Sequence, residues 1–319
     1  MAPEIPSPLL TPLSRLLGIR YPIIQGGMVW TAGAKLAVAV SEAGALGVLG
    51  AGSMKPDALR QAVRDVRHAT NAPFGVNIPL MREDRLALIG VCEEEHVRIV
   101  ITSSGDPSAL TPRLKNSGCT VLHVVATVKH ARKAADAGCD AVVAEGCEAG
   151  GHNGVDEITT LTLVPQVVDA VRVPVVAAGG IADGRGMAAA LALGAGGVQV
   201  GTRFAATVES DAHAMYKQRV VEATDRDTVL TMRGLMPVRM LRTPFTLRAM
   251  DAERRGATRE ELEALLGSKR EKLGIGEGNV EEGMFEAGQS AGLVHAVLPA
   301  ADVVRTMMHE YRTTQQRMP

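Results

Sequence analysis

The sequence predicts an α/β chain, a (β/α)8 TIM barrel with a helical subdomain inserted near the C-terminus. Two observations point to the barrel. Eight short apolar runs recur through the first two-thirds of the chain, most followed by a helix-like segment, and repeated βα units mean parallel sheet. Most of these runs also end in small or polar residues: Gly26-Gly27, Gly50, Asn77, Ser103-Ser104, Gly146, Gly179-Gly180 and Gly201-Thr202. A barrel gathers the C-terminal ends of its strands at one mouth, where its ligand sits. A third observation, the change to charged sequence after Phe204, predicts the insertion.

The strands are expected at Pro22–Gln25, Leu46–Leu49, Phe74–Ile78, Val97–Thr102, Thr120–Ala126, Ala141–Ala144, Pro174–Ala178 and Gly197–Val200. Amphipathic or alanine-rich stretches between them predict helices over Ala34–Ala43, Lys55–Ala69, Val128–Ala137, Thr160–Val171 and Arg185–Leu193. Residues 209–275 are charged and predicted helical, followed by a turn at Gly274–Gly278, a small-residue segment at Gly283–Val294 and a last helix over Ala300–Gln316. The expected division is therefore a barrel over 1–208, a helical cap over 209–282, and a covering segment with the closing helix over 283–319. The cap's helices read equally as a merely solvated face. Ala287-Gly288-Gln289-Ser290 instead suggests backbone passing close to a ligand.

Composition fits a globular enzyme: 46% of residues are hydrophobic, but only 3% are aromatic. Val, Ala, Leu and Ile must then fill the core, as suits close-packed parallel strands. A net charge of −1 gives no electrostatic reason to expect nucleic acid or an anionic membrane. The first twenty residues make a poor signal peptide, no run approaches a membrane span, and the cytoplasm is the default location. Cys92, Cys119, Cys139 and Cys147 are too widely spaced for a CxxC motif and read as reduced filler. No His, Asp, Glu or Cys set has metal-ligand spacing, so no metal is expected.

The unit at 174–202 says most about the ligand. Its glycines lie where strands pass into loops, and glycine lets bare N–H groups approach a phosphate with no Cβ in the way. Loops after the last two strands of a barrel commonly build such a site. GVLGAG at Gly47–Gly52 lacks the GxGxxG spacing, so any nicotinamide must dock transiently at the mouth. The sharpest chemical feature is AEGCEAGGHNG, Ala144–Gly154. His152, among glycines in a loop with little core of its own, is expected to face the mouth and exchange a proton near neutral pH. The plainer alternative is an imidazole bonded to a loop carbonyl. His123, inside the fifth strand, is either pocket-lining or core, while His68, His96, His130, His295 and His309 read as ordinary surface residues.

Six motifs in order, YPIIQGGMVW, PFGVNI, AEGCEAGGHNG, PVVAAGGIADGRG, VQVGTRF and AGQSAGLV, resemble the FMN-dependent barrel oxidoreductases. That group includes enoyl-acyl-carrier-protein reductase II, nitronate monooxygenase (2-nitropropane dioxygenase) and related NADH:quinone reductases, and the resemblance runs from about Leu13 to Val294. It implies tightly bound FMN across the strand ends. Gly26, Gly27 and Met28 would approach the ring, with Asn77 bonded near it. Gly150 and Gly151 would run along the cofactor, and Glu145 would border it. Gly179, Gly180, Gly201 and Thr202 would hold the phosphate, and Gly288 and Gln289 would close over the flavin. His152 matches the family's active-site histidine.

Within that group the motifs look most like the enoyl reductase. Val124 follows His123, where several oxidase and quinone-reductase relatives carry lysine. Cys147, however, stands where the reductase branch is expected to carry methionine. The implied reaction is ping-pong, with NADH or NADPH and then a conjugated enoyl thioester using the same flavin face, and His152 helping to protonate Cα. Nitronate monooxygenase, NADH:quinone reductase and a non-catalytic flavin carrier are the alternatives. The expected partner is a small-molecule or acyl-carrier-protein-bound enoyl substrate, with a homodimer left open. Arg233, Arg239, Arg242 and Arg248 lie close in sequence and would suit an acidic carrier protein, although a solvated helix face is the preferred reading.

Overall fold

The computed structural model describes residues 6–317. Met1–Ile5, part of the stretch read as a poor signal peptide, lie outside the described residues. No described helix is long and apolar enough to cross a membrane.

The expected strands form β1 (Ile23–Gln25), β2 (Gly47–Gly50), β3 (Phe74–Pro79), β4 (Ile99–Ser103), β5 (Thr120–Val125) and β6 (Ala141–Glu145). A two-residue strand β7 (Gly151–His152) interrupts the series before β8 (Val175–Ala178) and β9 (Gly197–Val200). The eight longer strands pair in parallel in the order β1-β9-β8-β6-β5-β4-β3-β2. A parallel bridge, Ile24 to Leu46, closes the ring between β1 and β2. Gln25 reinforces this seam: its side-chain Oε1 accepts the Val48 N–H at 3.0 Å.

Strand alternation divides the core in two. Ile24, Leu46, Val48, Ile99, Ile101, Leu122, Val143 and Val176 fill the barrel. Their neighbours Ile23, Leu49, Val76, Val100, Val121, Val142 and Val198 pack outward. The barrel interior is stoppered by α1 (Pro12–Leu17), which contributes Leu13 and Leu17 to it. Around the outside run α2 (Ala34–Glu42), α3 (Pro56–Ala69), α4 (Arg85–Glu94), α5 (Thr111–Asn116), α6 (Val128–Asp136), α7 (Thr160–Ala170) and α8 (Gly184–Ala192).

After the four-residue α9 (Thr202–Ala205) comes α10 (Ala214–Glu222), and then the fold departs from expectation. Residues 209–275 are not helical throughout. They contain the antiparallel hairpin β10 (Thr228–Thr231) and β11 (Val238–Leu241), followed by α11 (Pro244–Arg254) and α12 (Arg259–Leu266). The hairpin's free edge pairs with β7, Val238 facing His152 and Arg239 facing Gly151. The helix α13 (Ala300–Arg317) then returns to α8 and α2. Its approach to α8 is backbone on backbone, since a Cβ at Gly184 would lie 2.1 Å from Tyr311 N.

Candidate active site at the barrel mouth

The loop after β6 is held from every side. Gly146 N–H donates to Ala178 O at 2.9 Å and Cys147 N–H to Ile158 O at 2.9 Å. The Glu148 carboxylate accepts the Thr160 N–H at 2.9 Å, capping the first turn of α7 from outside the helix. Asn153 donates to the carbonyls of Ala149 and Gly151, each at 2.9 Å. Arg239 on β11 is buried and donates through Nε to Cys147 O at 2.8 Å. These hydrogen bonds and the strand pairing together fix where His152 stands.

The segment after α12 lies directly on this loop. A Cβ at Gly150 would meet Ala287 C and Gly288 N at 2.6 Å, and one at Gly288 would meet Glu148 O at 2.7 Å. Both positions therefore exclude any side chain. Gln289 N–H donates to Glu148 O at 2.9 Å, and Gly288 N–H to the Thr202 hydroxyl at 2.9 Å. The covering segment is tied to the loops after both β6 and β9.

Between these loops and the strand ends is a cleft of about 250 Å³. Gly26, Gly27, Met28, Asn77, Glu145, Gly150, Gly151, His152, Gly179, Gly180, Gly201, Thr202 and Gly288 all line it. Gln289 does not: its side chain is exposed, and Ser290 lines the cleft instead. The turn alternates sides, so only the residues flanking Gln289 face inward. Sequence reading also missed Gln199, Tyr216 and Glu286, which line the same cleft.

His123 belongs to the core. Val124 takes the cleft position on β5, so alternation turns His123 outward, where Nδ1 meets Thr102 Oγ1 at 2.7 Å. Burial lowers its pKa to about 4, keeping it neutral. Cys147 is partly buried outside the cleft lining, and all four thiols are unpaired. The four arginines do not make a basic patch. Arg233 pairs with Glu157 and Arg248 with Glu282, Arg242 donates to Arg226 O, and Arg239 is buried.

The donors at one end of the cleft suit a phosphate. Gly179 and Gly180 have φ of +92° and +72°, and a Cβ at Gly201 would meet only Met28 Sδ, at 3.7 Å. The N–H groups of Gly180, Gly201 and Thr202 find no acceptor among the described residues. Unpaired amides on residues that line one cleft suit an anion. The amide side chain of Asn77 packs where Gly27 has no side chain; a Cβ there would lie 2.2 Å from Asn77 Cβ. A phosphate-bearing flavin fits this arrangement of small residues, amides and one cradle.

The cleft also carries protonatable side chains. The His152 side chain keeps 44% of its surface exposed, and its Nδ1 lies 3.8 Å from Glu286 Oε1. The surrounding protein lowers the His152 pKa by desolvation, against an opposing pull from Glu271. Desolvation raises Glu145 to about 7. It raises Glu286 to about 8, with help from Glu271. The cleft lining contains no lysine or arginine.

A family model described as Nitronate monooxygenase matches residues 10–88 and 84–310. The solved structure of FabK from Thermotoga maritima superposes with a TM-score of 0.93 at 46% identity, covering 97% of this chain and 98% of that one. Nitroalkane oxidase from Streptomyces ansochromogenes gives a TM-score of 0.84 at 29% identity, over 97% of this chain and 100% of its own. A Mycobacterium tuberculosis (3aS,4S,5R,7aS)-5-hydroxy-7a-methyl-1-oxo-octahydro-1H-indene-4-carboxyl-CoA dehydrogenase is 43% identical over 239 residues, 74% of this chain and 67% of its own.

Proposed function

The chain belongs to the nitronate monooxygenase family of oxidoreductases, and from that premise we propose that it is an FMN-dependent, NAD(P)H-linked reductase of enoyl thioesters. The carrying observation is the lack of any lysine or arginine in the cleft lining. An anionic nitronate would enter a site bordered by Glu145, Glu286 and a neutral His152, with no lysine or arginine to balance it. A conjugated thioester is neutral at its reacting carbons and meets no such penalty. Two relatives point the same way: FabK is an enoyl-acyl-carrier-protein reductase II, and the mycobacterial enzyme is named for a CoA thioester.

Gly180, Gly201 and Thr202 would hold the FMN phosphate through their amides, Met28, Gly150 and Gly151 would flank the ring, and Asn77 and Gln199 would bond its polar edge. Bound there, FMN supplies the two-electron carrier between nicotinamide and thioester. The protein's part is orientation and proton management. The segment through Gly288 and Ser290 covers the cleft and limits water, while Val124 keeps the β5 position free of charge. His152, at the open side, holds the proton destined for Cα.

Anaerobic oxidation of NADH and NADPH in the presence of a crotonyl thioester tests this, run beside quinone reduction and oxygen uptake with an alkyl nitronate. Turnover with the thioester is expected. Oxygen uptake with nitronate and none with thioester overturns the reading.

A further inference from the structure

The hairpin edge that holds His152 also holds Glu286. On β11, Val238 faces His152, and two residues later Met240 bridges antiparallel to Glu286. Met240 already faces Val229 of β10 on its other side. β7 and the Glu286 segment therefore follow one another along one strand edge. Leu241 N–H to Phe285 O at 2.8 Å and Tyr216 OH to Glu286 O at 2.6 Å fix that backbone further.

This leaves the Glu286 side chain little freedom. It is 11% exposed, Oε1 has no hydrogen-bond partner, and the nearest basic group is His152 Nδ1 at 3.8 Å. A buried carboxyl oxygen left unsatisfied calls for an explanation. A shift of about 1 Å, within reach of a half-exposed imidazole, would make a hydrogen bond.

We propose that Glu286 and His152 work as one proton-holding pair, with Glu286 the positioning residue that fixes the tautomer of His152 and resupplies its proton. The proposal rests on the enoyl-thioester reading. Reduction at the expense of NAD(P)H puts a hydride on Cβ and an electron pair on Cα. The new Cα–H bond takes the proton from His152 Nε2 as the N–H bond breaks. The Glu286 carboxylic acid passes its proton to Nδ1 and is left as carboxylate, to be reprotonated from solvent through the mouth.

The ionisation pattern agrees with this direction of flow. With Glu286 raised to about 8 and His152 lowered, the neutral-pH pair is a carboxylic acid beside a neutral imidazole rather than an ion pair. Glu145 lines the same cleft and is itself raised to about 7 by desolvation. Glu271 favours the protonated form of both Glu286 and His152, Tyr216 donates to the Glu286 carbonyl, Arg239 is turned to Cys147 O, and Glu148 is bonded to Thr160.

The test uses flavin-loaded protein, Glu286→Gln and Glu286→Asp. Histidine-15N resonances are titrated by NMR, with His152 assigned by its loss in His152→Asn. The wild type should show an inflection of the His152 ring nitrogens near pH 8, where Glu286 ionises, and Glu286→Gln should abolish it. In steady-state kinetics the alkaline limb of the thioester-dependent step should move acidward by roughly 1 unit or more in Glu286→Gln. Glu286→Asp should keep the limb at a lower rate, and flavin content and melting temperature should stay constant across the set. An inflection in a protein that reduces no thioester would sink the substrate reading and keep the pair. Unchanged titration and unchanged limb in Glu286→Gln overturn the pair.

Discussion

Gly180→Asp is the sharpest perturbation of the proposed phosphate cradle. Gly180 has φ of +72°, and a Cβ there would lie 3.3 Å from Glu148 Cβ, a tight contact with a side chain that is itself held by Thr160. Left-handed backbone costs an ordinary residue about 1–2 kcal/mol, and Asp sits at the low end of that range. The new charge matters more. At ~5 Å and an effective dielectric of ~20, each unit of phosphate charge is repelled by about 3 kcal/mol. Half of that, after salt screening, is still about tenfold in affinity. Gly180→Ala carries the backbone strain without the charge and should keep most of its flavin. The assay is flavin absorbance relative to protein after gel filtration, with the melting temperature of flavin-free protein as the folding control. Wild-type flavin content in Gly180→Asp would refute the assignment of this loop.

Five further outcomes follow from other parts of the molecule. His152→Ala should retain flavin and its reduction by NAD(P)H, but lose about 10²–10⁴-fold in the thioester half-reaction, read by stopped flow. Initial rates with nicotinamide and thioester varied together should give parallel double-reciprocal lines, because one cleft serves both; intersecting lines would mean a second site. Gly150→Ala pushes a methyl into Ala287 and Gly288 backbone and should cost about 1–3 kcal/mol in melting experiments; Gly90→Ala, with nothing within 4 Å of its new Cβ and a helical position in α4, should instead stabilise slightly. Asp183 caps α8 through the Arg185 and Gly186 N–H groups, at 2.9 and 3.0 Å. Burial raises its pKa, but Arg185 and those amides outweigh burial and leave it lowered. A lowered folded value means stability present above the unfolded pKa of about 3.9 and lost as pH falls through the folded one. Asp183→Ala should cost about 1 kcal/mol at neutral pH, and progressively less in acid.

The barrel was legible because parallel strands covered on both sides read as apolar runs, and because strand ends carry the small residues that a mouth requires. Thirteen of the fourteen predicted site positions consequently line one cleft. What stayed hidden was set by partners distant in sequence. Thr228–Thr231 and Val238–Leu241 are four-residue strands in charged surroundings, and one edge of their sheet is completed by a two-residue strand from the His152 loop. No local periodicity marks them. The four arginines diverge for the same reason, since neighbours in sequence leave a strand on opposite faces and a helix in several directions. Glu286 was invisible in its small-residue setting until Met240 gave it a register.

That hairpin changes how the site is understood. The barrel supplies the proposed cradle: Gly180, Gly201 and Thr202 follow β8 and β9, elements that any closed barrel must have. It does not by itself set the His152–Glu286 pair. His152 is aimed by Val238, Glu286 by Met240, and the loop carrying His152 is stitched by Arg239, all within one four-residue strand. The proposed cradle and the proposed proton pair therefore draw on different supports, linked through Gly288 N–H to the Thr202 hydroxyl and through Gly146 N–H to Ala178 O. Damage to the hairpin should disturb proton delivery before flavin retention, and damage to the β8 and β9 loops should do the reverse. Separable failure of the two ends is what a cleft built by a barrel and an insertion, each contributing its own chemistry, requires.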